Sequence, residues 1–303
     1  MLACLVVLVA NCGAGSTDTS SAGGCVAPEV VVTTSVLGDV VGNLVGDRGR
    51  VEVLMPVGAD PHSFQVSAGQ AASLRRASLV VANGLGLEEG MGDALDGAAA
   101  DGVAVVEAAS FVEALPFGEG GEHGSLDPHF WTDPRRMAEA VTGLGEALAA
   151  ADPACPGRWR EAAAAYREEV LRLDEEIESI LAVVPAERRK LVTNHYSLGY
   201  FADRYGFEVL GAIIPGGDTL AGPSPADLAS LVETLRREGV RAIFAESTRP
   251  SELDEALAAE VGDQMAVVAL FTGSLGGPGS GAETYLDMQR TNAELIAAAL
   301  GGP

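Results

Sequence analysis

Residues 156–184 carry apolar side chains at alternating steps of four and three: Trp159, Ala163, Tyr166, Val170, Leu173, Ile177, Ile180 and Val184. That period lays one continuous apolar stripe along one face of a long helix. Glu161, Arg167, Glu168, Arg172, Glu175, Glu176 and Glu178 fall on its other faces. No Gly or Pro interrupts the run between Gly157 and Pro185. At about 1.5 Å per residue such a helix spans roughly 40 Å, more than the width of a small domain. It is either an ordinary surface helix or a rigid strut between two lobes. The strut is favoured because the chain before it and the chain after it alternate strands and helices in the same way.

In the first flank, β-branched and apolar runs predict strands at 30–34, 51–57, 78–82 and 103–106. Ser35 and Ser67 are placed to cap the helices that follow two of them, and Asp133-Pro134 opens a helix to about residue 150. In the second flank, strands are expected at 190–193, 207–212, 241–245 and 265–271. Helices are expected at 197–205, 224–238, after a cap at Ser251, and at 282–300. Strands separated by helices imply parallel βαβ units, which bind ligands at the carboxyl ends of their strands. The expected fold is therefore α/β. Two similar lobes, 25–155 and 186–303, are each a roughly four-stranded parallel sheet flanked by helices. One long rigid helix, 156–185, bridges them. A chain of 303 residues is long enough for this.

Residues 1–12 form an apolar run too short to cross a bilayer, which reads as the core of an export signal. Val9-Ala10-Asn11-Cys12 resembles a bacterial lipoprotein signal, in which Cys12 is acylated and becomes the first residue. Asn11 departs from the small residue usual there, and a plain cleaved signal is the alternative. The Gly/Ser/Thr/Asp tract at 13–24 reads as a flexible tether. Of four cysteines, Cys25 and Cys155 then remain. In an oxidising compartment two cysteines point to one disulfide, with two buried thiols as the alternative. A formal net charge of −24 argues against a nucleic-acid partner, which needs a basic footprint. It also repels anionic lipid, so membrane contact is expected only through the lipid anchor.

The chain has four histidines. His62, His129 and His195 each follow a predicted strand or a Pro-containing turn, and none sits on a helix face. Imidazole nitrogen is a good ligand for zinc, copper, iron or nickel. Three such ligands drawn from both lobes would converge in the cleft between them. His123 lies instead in a Gly/Glu-rich stretch with Glu119 and Glu122 and reads as a solvated or weakly metal-collecting residue.

Several segments carry a family resemblance in order: Gly58-Ala59-Asp60-Pro61-His62, Asp127-Pro128-His129-Phe130-Trp131, Thr193-Asn194-His195-Tyr196, Ile243-Phe244-Ala245-Glu246, and the run from Tyr285 to Asn292. With them the chain resembles the zinc/manganese solute-binding lipoproteins of ABC importers. The resemblance covers about residues 30–300. It implies that His62, His129 and His195 bind the metal, and that a His at the third position goes with zinc where a Glu goes with manganese. The implied cargo is therefore Zn2+, with Mn2+ second. The implied partners are an ABC permease and its ATPase. The chain would be a monomer on the outer face of the cytoplasmic membrane, held by its lipid, or periplasmic where an outer membrane exists.

One position departs from the family. The Asp usually found in the loop after the last strand is Gly273 here, in Phe271-Thr272-Gly273-Ser274-Leu275. The fourth ligand is then water or another carboxylate, with Glu246 or Glu283 as candidates. Restoring the carboxylate, Gly273→Asp, is expected to tighten zinc binding. An open position on a three-histidine zinc also describes a hydrolytic or hydrating enzyme, in which the metal lowers the pKa of its water to about 7. Glu246 is the only plausible general base for that reading. Tether, lobes and strut fit capture and delivery better. Neutral imidazoles bind the cation, so affinity is expected to fall as pH drops toward about 6.5.

Overall fold

The computed structural model of the chain describes Cys25 and residues 28–117, 125–217, 219–220, 222–262 and 265–302. Cys4, Cys12, Glu119, Glu122 and His123 lie outside the described residues. The first half runs β1 (Glu29–Val32), α1 (Ser35–Val45), β2 (Arg50–Val53), α2 (Ala68–Leu74), β3 (Leu79–Ala82), α3 (Gly92–Ala100), β4 (Val105–Glu107) and α4 (Pro134–Ala151). The long helix α5 (Pro156–Leu181) follows. The second half runs β5 (Lys190–Thr193), α6 (Gly199–Tyr205), β6 (Glu208–Ala212), α7 (Pro225–Glu238), β7 (Ala242–Glu246), α8 (Glu252–Val261), β8 (Ala266–Leu270) and α9 (Tyr285–Gly301). No described helix is long and apolar enough to cross a membrane.

The four strands of each half form one parallel sheet, in the orders β2-β1-β3-β4 and β6-β5-β7-β8. The two orders are the same permutation, so the repeated element pattern is a repeated topology. Each order reverses beside its first strand, at β1/β3 and at β5/β7. Chains leave these neighbouring strands toward opposite faces, opening a crevice at the carboxyl ends.

The stripe of α5 is divided between two cores. Trp159, Ala163, Tyr166 and Val170 pack with β1, α1 and α4. Leu173, Ile177 and Leu181 pack with β5, α6 and the distal half of α9. Burying each such aliphatic side chain contributes about 1.5–3 kcal/mol, so the helix is anchored at both ends. Within the second set, next to Leu173, lies Asp174, a buried carboxylate the apolar period does not announce. It accepts from Arg135 Nε (2.8 Å) on α4, and from Arg204 Nε (2.7 Å) and Nη2 (2.6 Å) and the Tyr205 hydroxyl (3.0 Å) on α6. The strut is thus tied to both halves by charge as well as by apolar contact. Cys25 and Cys155 form a disulfide with Cα atoms 5.4 Å apart, joining the start of the first half to the residue before α5.

Helix α9 is shared in the same way. Tyr285 and Met288 belong to the first core, whereas Ala293, Ile296, Ala297 and Leu300 belong to the second. The Tyr285 hydroxyl (2.9 Å) and Gln289 Nε2 (2.7 Å) both donate to the Trp131 carbonyl. Helix α9 thus packs against both lobes alongside the bridging α5.

Helix ends and caps differ from the expectations in three places. Helix α5 ends at Leu181 rather than near Val184, because Pro185 disfavours helical geometry in the residue before it. Val184 stays buried in the turn that follows. Thr34 caps α1, accepting from Leu37 N–H at 3.2 Å. Ser35 reaches across the cleft instead, with its oxygen 3.0 Å from Ser274 Oγ and accepting from Leu275 N–H at 3.1 Å. Ser251 makes no side-chain cap to the α8 backbone and donates to the Glu255 carboxylate.

Candidate metal centre

The sequence Asp-Pro-His occurs twice, and the local fold is the same each time. Asp60 Oδ1 accepts the His62 backbone N–H at 3.0 Å, and Asp127 Oδ1 accepts that of His129 at 2.9 Å. Each is a tight turn closed by a side chain two residues upstream. It presents the following imidazole from the rim of the first lobe. His195 comes from the second lobe, directly after β5. There Asn194 N–H donates to the Phe244 carbonyl of the neighbouring β7 at 3.2 Å.

The three rings meet. His62, His129 and His195 are 4%, 1% and 1% exposed. Nε2 of His129 lies 3.2 Å from Nε2 of His62 and 3.3 Å from Nε2 of His195. One ligand atom from each ring lies within 4.8 Å of the others. Nitrogens about 2.0–2.1 Å from a tetrahedral zinc are about 3.3 Å apart, which is the spacing of these two pairs.

The outer nitrogens of His129 and His195 face carboxylates. Asp127 Oδ1 lies 2.7 Å from His129 Nδ1. That bond places the proton on Nδ1 and leaves the Nε2 lone pair facing the cluster. Glu246 Oε2 faces His195 Nδ1 at 3.3 Å, out of hydrogen-bond alignment, and both atoms are buried without another partner. The other Glu246 oxygen accepts from Gly273 N–H at 2.6 Å. Burial pushes the Glu246 carboxyl above its usual range, against hydrogen bonds from Thr272 and Gly273. Burial, then the facing His129 and His62 and the Arg249 charge, hold His195 well below the ordinary value of 6.5. Proton competition at His195 therefore sets in at lower pH than the free imidazole suggests.

Sequence reasoning named the three imidazoles but gave Asp60 and Asp127 no role. The signal was present: a carboxylate two residues before each His closes that turn. Glu246 stands behind His195 rather than within the cluster. Glu283 is exposed and accepts from Gly279 N–H. A Cβ built on Gly273 would lie 2.8 Å from Glu246 Oε1 and 3.2 Å from Pro61 Cδ. The place an Asp side chain would enter is thus occupied by Glu246. Arg249 was also missed. Its guanidinium reaches Asp60 Oδ2 from the second lobe at 3.3 Å.

Comparison with known proteins gives a consistent answer. The family model described as "Zinc-uptake complex component A periplasmic" matches residues 30–299. The zinc-binding protein TroA of Treponema pallidum is 33% identical over 292 residues, covering 94% of this chain and 92% of that protein. The manganese-binding lipoprotein MntA of Halalkalibacterium halodurans is 29% identical over 296 residues, 98% of this chain and 95% of that protein. The solved structure of Treponema pallidum TroA superimposes with a TM-score of 0.83 at 31% identity, covering 91% of this chain and 99% of that one. The chain belongs to the family of zinc-uptake complex component A, the substrate-binding subunits of metal ABC importers.

Proposed function

We propose that this chain captures zinc in the cleft between its lobes through Nε2 of His62, His129 and His195, and delivers it to a membrane permease driven by an ATPase. The single observation that carries this reading is the convergence of three buried imidazoles, with His129 Nε2 at 3.2 Å and 3.3 Å from Nε2 of the other two. No carboxylate joins them among the described residues. A set of neutral nitrogens suits zinc, whereas manganese prefers oxygen donors. The relatives carry names for zinc and for manganese, so the donor set rather than kinship supports the choice. Water completes the tetrahedron, or Glu246 does by turning from Gly273. Charge balance comes from the surrounding carboxylates of Asp127 and Glu246. The hydrolytic alternative needs a base at the open position, and Glu246 is turned toward His195 Nδ1 and Gly273 N–H.

On this reading residues 1–24 are signal and tether, with Cys12 as the acylated anchor. Segments 25–155 and 186–303 are the lobes, 156–185 links them, and the chain works as a monomer outside the cytoplasmic membrane. The test is a titration of the mature chain with zinc and manganese separately, repeated on His195→Ala. One equivalent of zinc, bound more tightly than manganese and lost in the variant, is expected. Tighter manganese binding, or zinc binding that survives the substitution, would overturn the assignment.

A further inference from the structure

The two Asp-Pro-His turns use their carboxylates differently. Asp127 turns back on the ring of its own histidine, whereas Asp60 points across the cleft. Asp60 Oδ2 accepts from the Thr219 hydroxyl at 2.6 Å and from Arg249 Nη1 at 3.3 Å. Arg249 Nη1 also donates to the Thr219 carbonyl at 3.0 Å, and the Arg249 backbone N–H donates to the Glu246 carbonyl at 3.2 Å. Both partners belong to the second lobe, and Arg249 is tied to the turn that follows β7. The other Asp60 oxygen holds the His62 N–H. One carboxylate in the first lobe thus has one oxygen on a candidate ligand and the other on the opposite lobe. The Asp60 side chain is 10% exposed and that of Arg249 31%, so water screens the pair only in part.

We propose that Arg249 and Thr219 are positioning residues for the metal centre: by gripping Asp60 across the cleft they fix His62, so that parting the lobes withdraws one imidazole from the cation. This rests on the reading of the three histidines as zinc ligands. Lobe separation and loss of a ligand then become one motion, and docking to a permease releases the ion without a wide hinge. Simple electrostatics predicts the reverse for the same residue. A guanidinium near His195 disfavours positive charge in the site, so removing it should by charge alone hold a cation longer. The latch requires that removing it let the cation go sooner.

The test is zinc release from the loaded mature chain, followed by stopped flow into excess chromophoric chelator. Arg249→Gln is expected to speed release about fivefold, and Thr219→Val about twofold. Arg249→Lys should recover part of the loss. Asp60→Asn keeps an oxygen for the His62 N–H but drops the charge, so Asp60→Asn/Arg249→Gln should release no faster than Arg249→Gln alone. Release that is unchanged or slower in Arg249→Gln, or effects that multiply in the double variant, would overturn the latch. If Arg249→Gln loses its fold by circular dichroism, Thr219→Val and Asp60→Asn carry the same decision. A wild-type chain that takes up no zinc would overturn the metal-centre reading itself. Normal uptake with unaltered release in the variants overturns the latch alone.

Discussion

Asp127 holds His129 twice through one oxygen, accepting its backbone N–H at 2.9 Å and lying 2.7 Å from its ring Nδ1. Ring position and tautomer are therefore set by a single buried carboxylate. Such outer partners are worth about 10–100-fold in metal affinity. Asp127→Asn keeps an acceptor but loses the charge, and Asp127→Ala loses both. Chelator competition should show zinc affinity falling about tenfold in the first and further in the second.

Gly273 sits against Glu246, so a side chain there has two effects. Gly273→Ala adds only the crowding 2.8 Å from Glu246 Oε1 and should lower stability by about 1 kcal/mol. Gly273→Asp adds the same crowding together with an anionic donor. Zinc affinity in Gly273→Asp should exceed that in Gly273→Ala by about tenfold, which isolates the donor from the strain. Equal affinities would mean that the loop does not point its side chain at the centre.

Asp174 makes the acid stability of the protein predictable in sign. Burial alone would raise its carboxyl. Hydrogen bonds from Arg204 and Arg135, the Arg204 charge and the Tyr205 hydroxyl outweigh that and hold it below the ordinary 3.8. Its contribution is complete above the unfolded value and is lost as pH falls through 3.8 toward the depressed folded one. Asp174→Asn should cost about 2 kcal/mol at pH 7, since it leaves two arginines without their anion. The deficit should narrow below about pH 4, where the wild-type carboxylate takes up its proton. Urea midpoints at several pH values would show it.

The Cys25–Cys155 bridge closes a loop with a sequence separation of 130. In the chain-entropy model that is worth up to about 5 kcal/mol, acting on the unfolded chain. Cys155→Ser, or reduction, should lower the denaturation midpoint and leave zinc stoichiometry at one. A midpoint unmoved by reductant would show that the bridge adds no stability.

Metal-free and metal-loaded forms should have nearly the same radius of gyration in solution scattering. Both α5 and α9 are packed into the two cores at once, so closure is confined to a small shear and the loops around the histidines. A large compaction on adding zinc would contradict this.

The parts legible in the sequence were those fixed by local rules. The period of the 156–184 stripe gave α5, and the alternation of strands with helices gave two parallel sheets. The placement of His62, His129 and His195 after turns gave the cluster. Ser35 reads from the sequence as the cap of α1, but packing sends it to Ser274 and leaves the cap to Thr34 one residue earlier. Arg249 looked like any loop arginine, because Asp60 is 189 residues away in the chain. Glu246 was visible as a carboxylate at a strand end. Its contact with Gly273 N–H depends on how the β8 loop folds back, which no local pattern encodes.

Tyr285 and Gln289 donate to the Trp131 carbonyl, and Tyr285 and Met288 complete the core around α1, α4 and the first part of α5. During synthesis, the half that emerges first must wait with one flank uncovered until the closing helix arrives. A polypeptide cut short before Tyr285 would therefore fail in the lobe it had already made, and maturation would be all-or-none across the whole length.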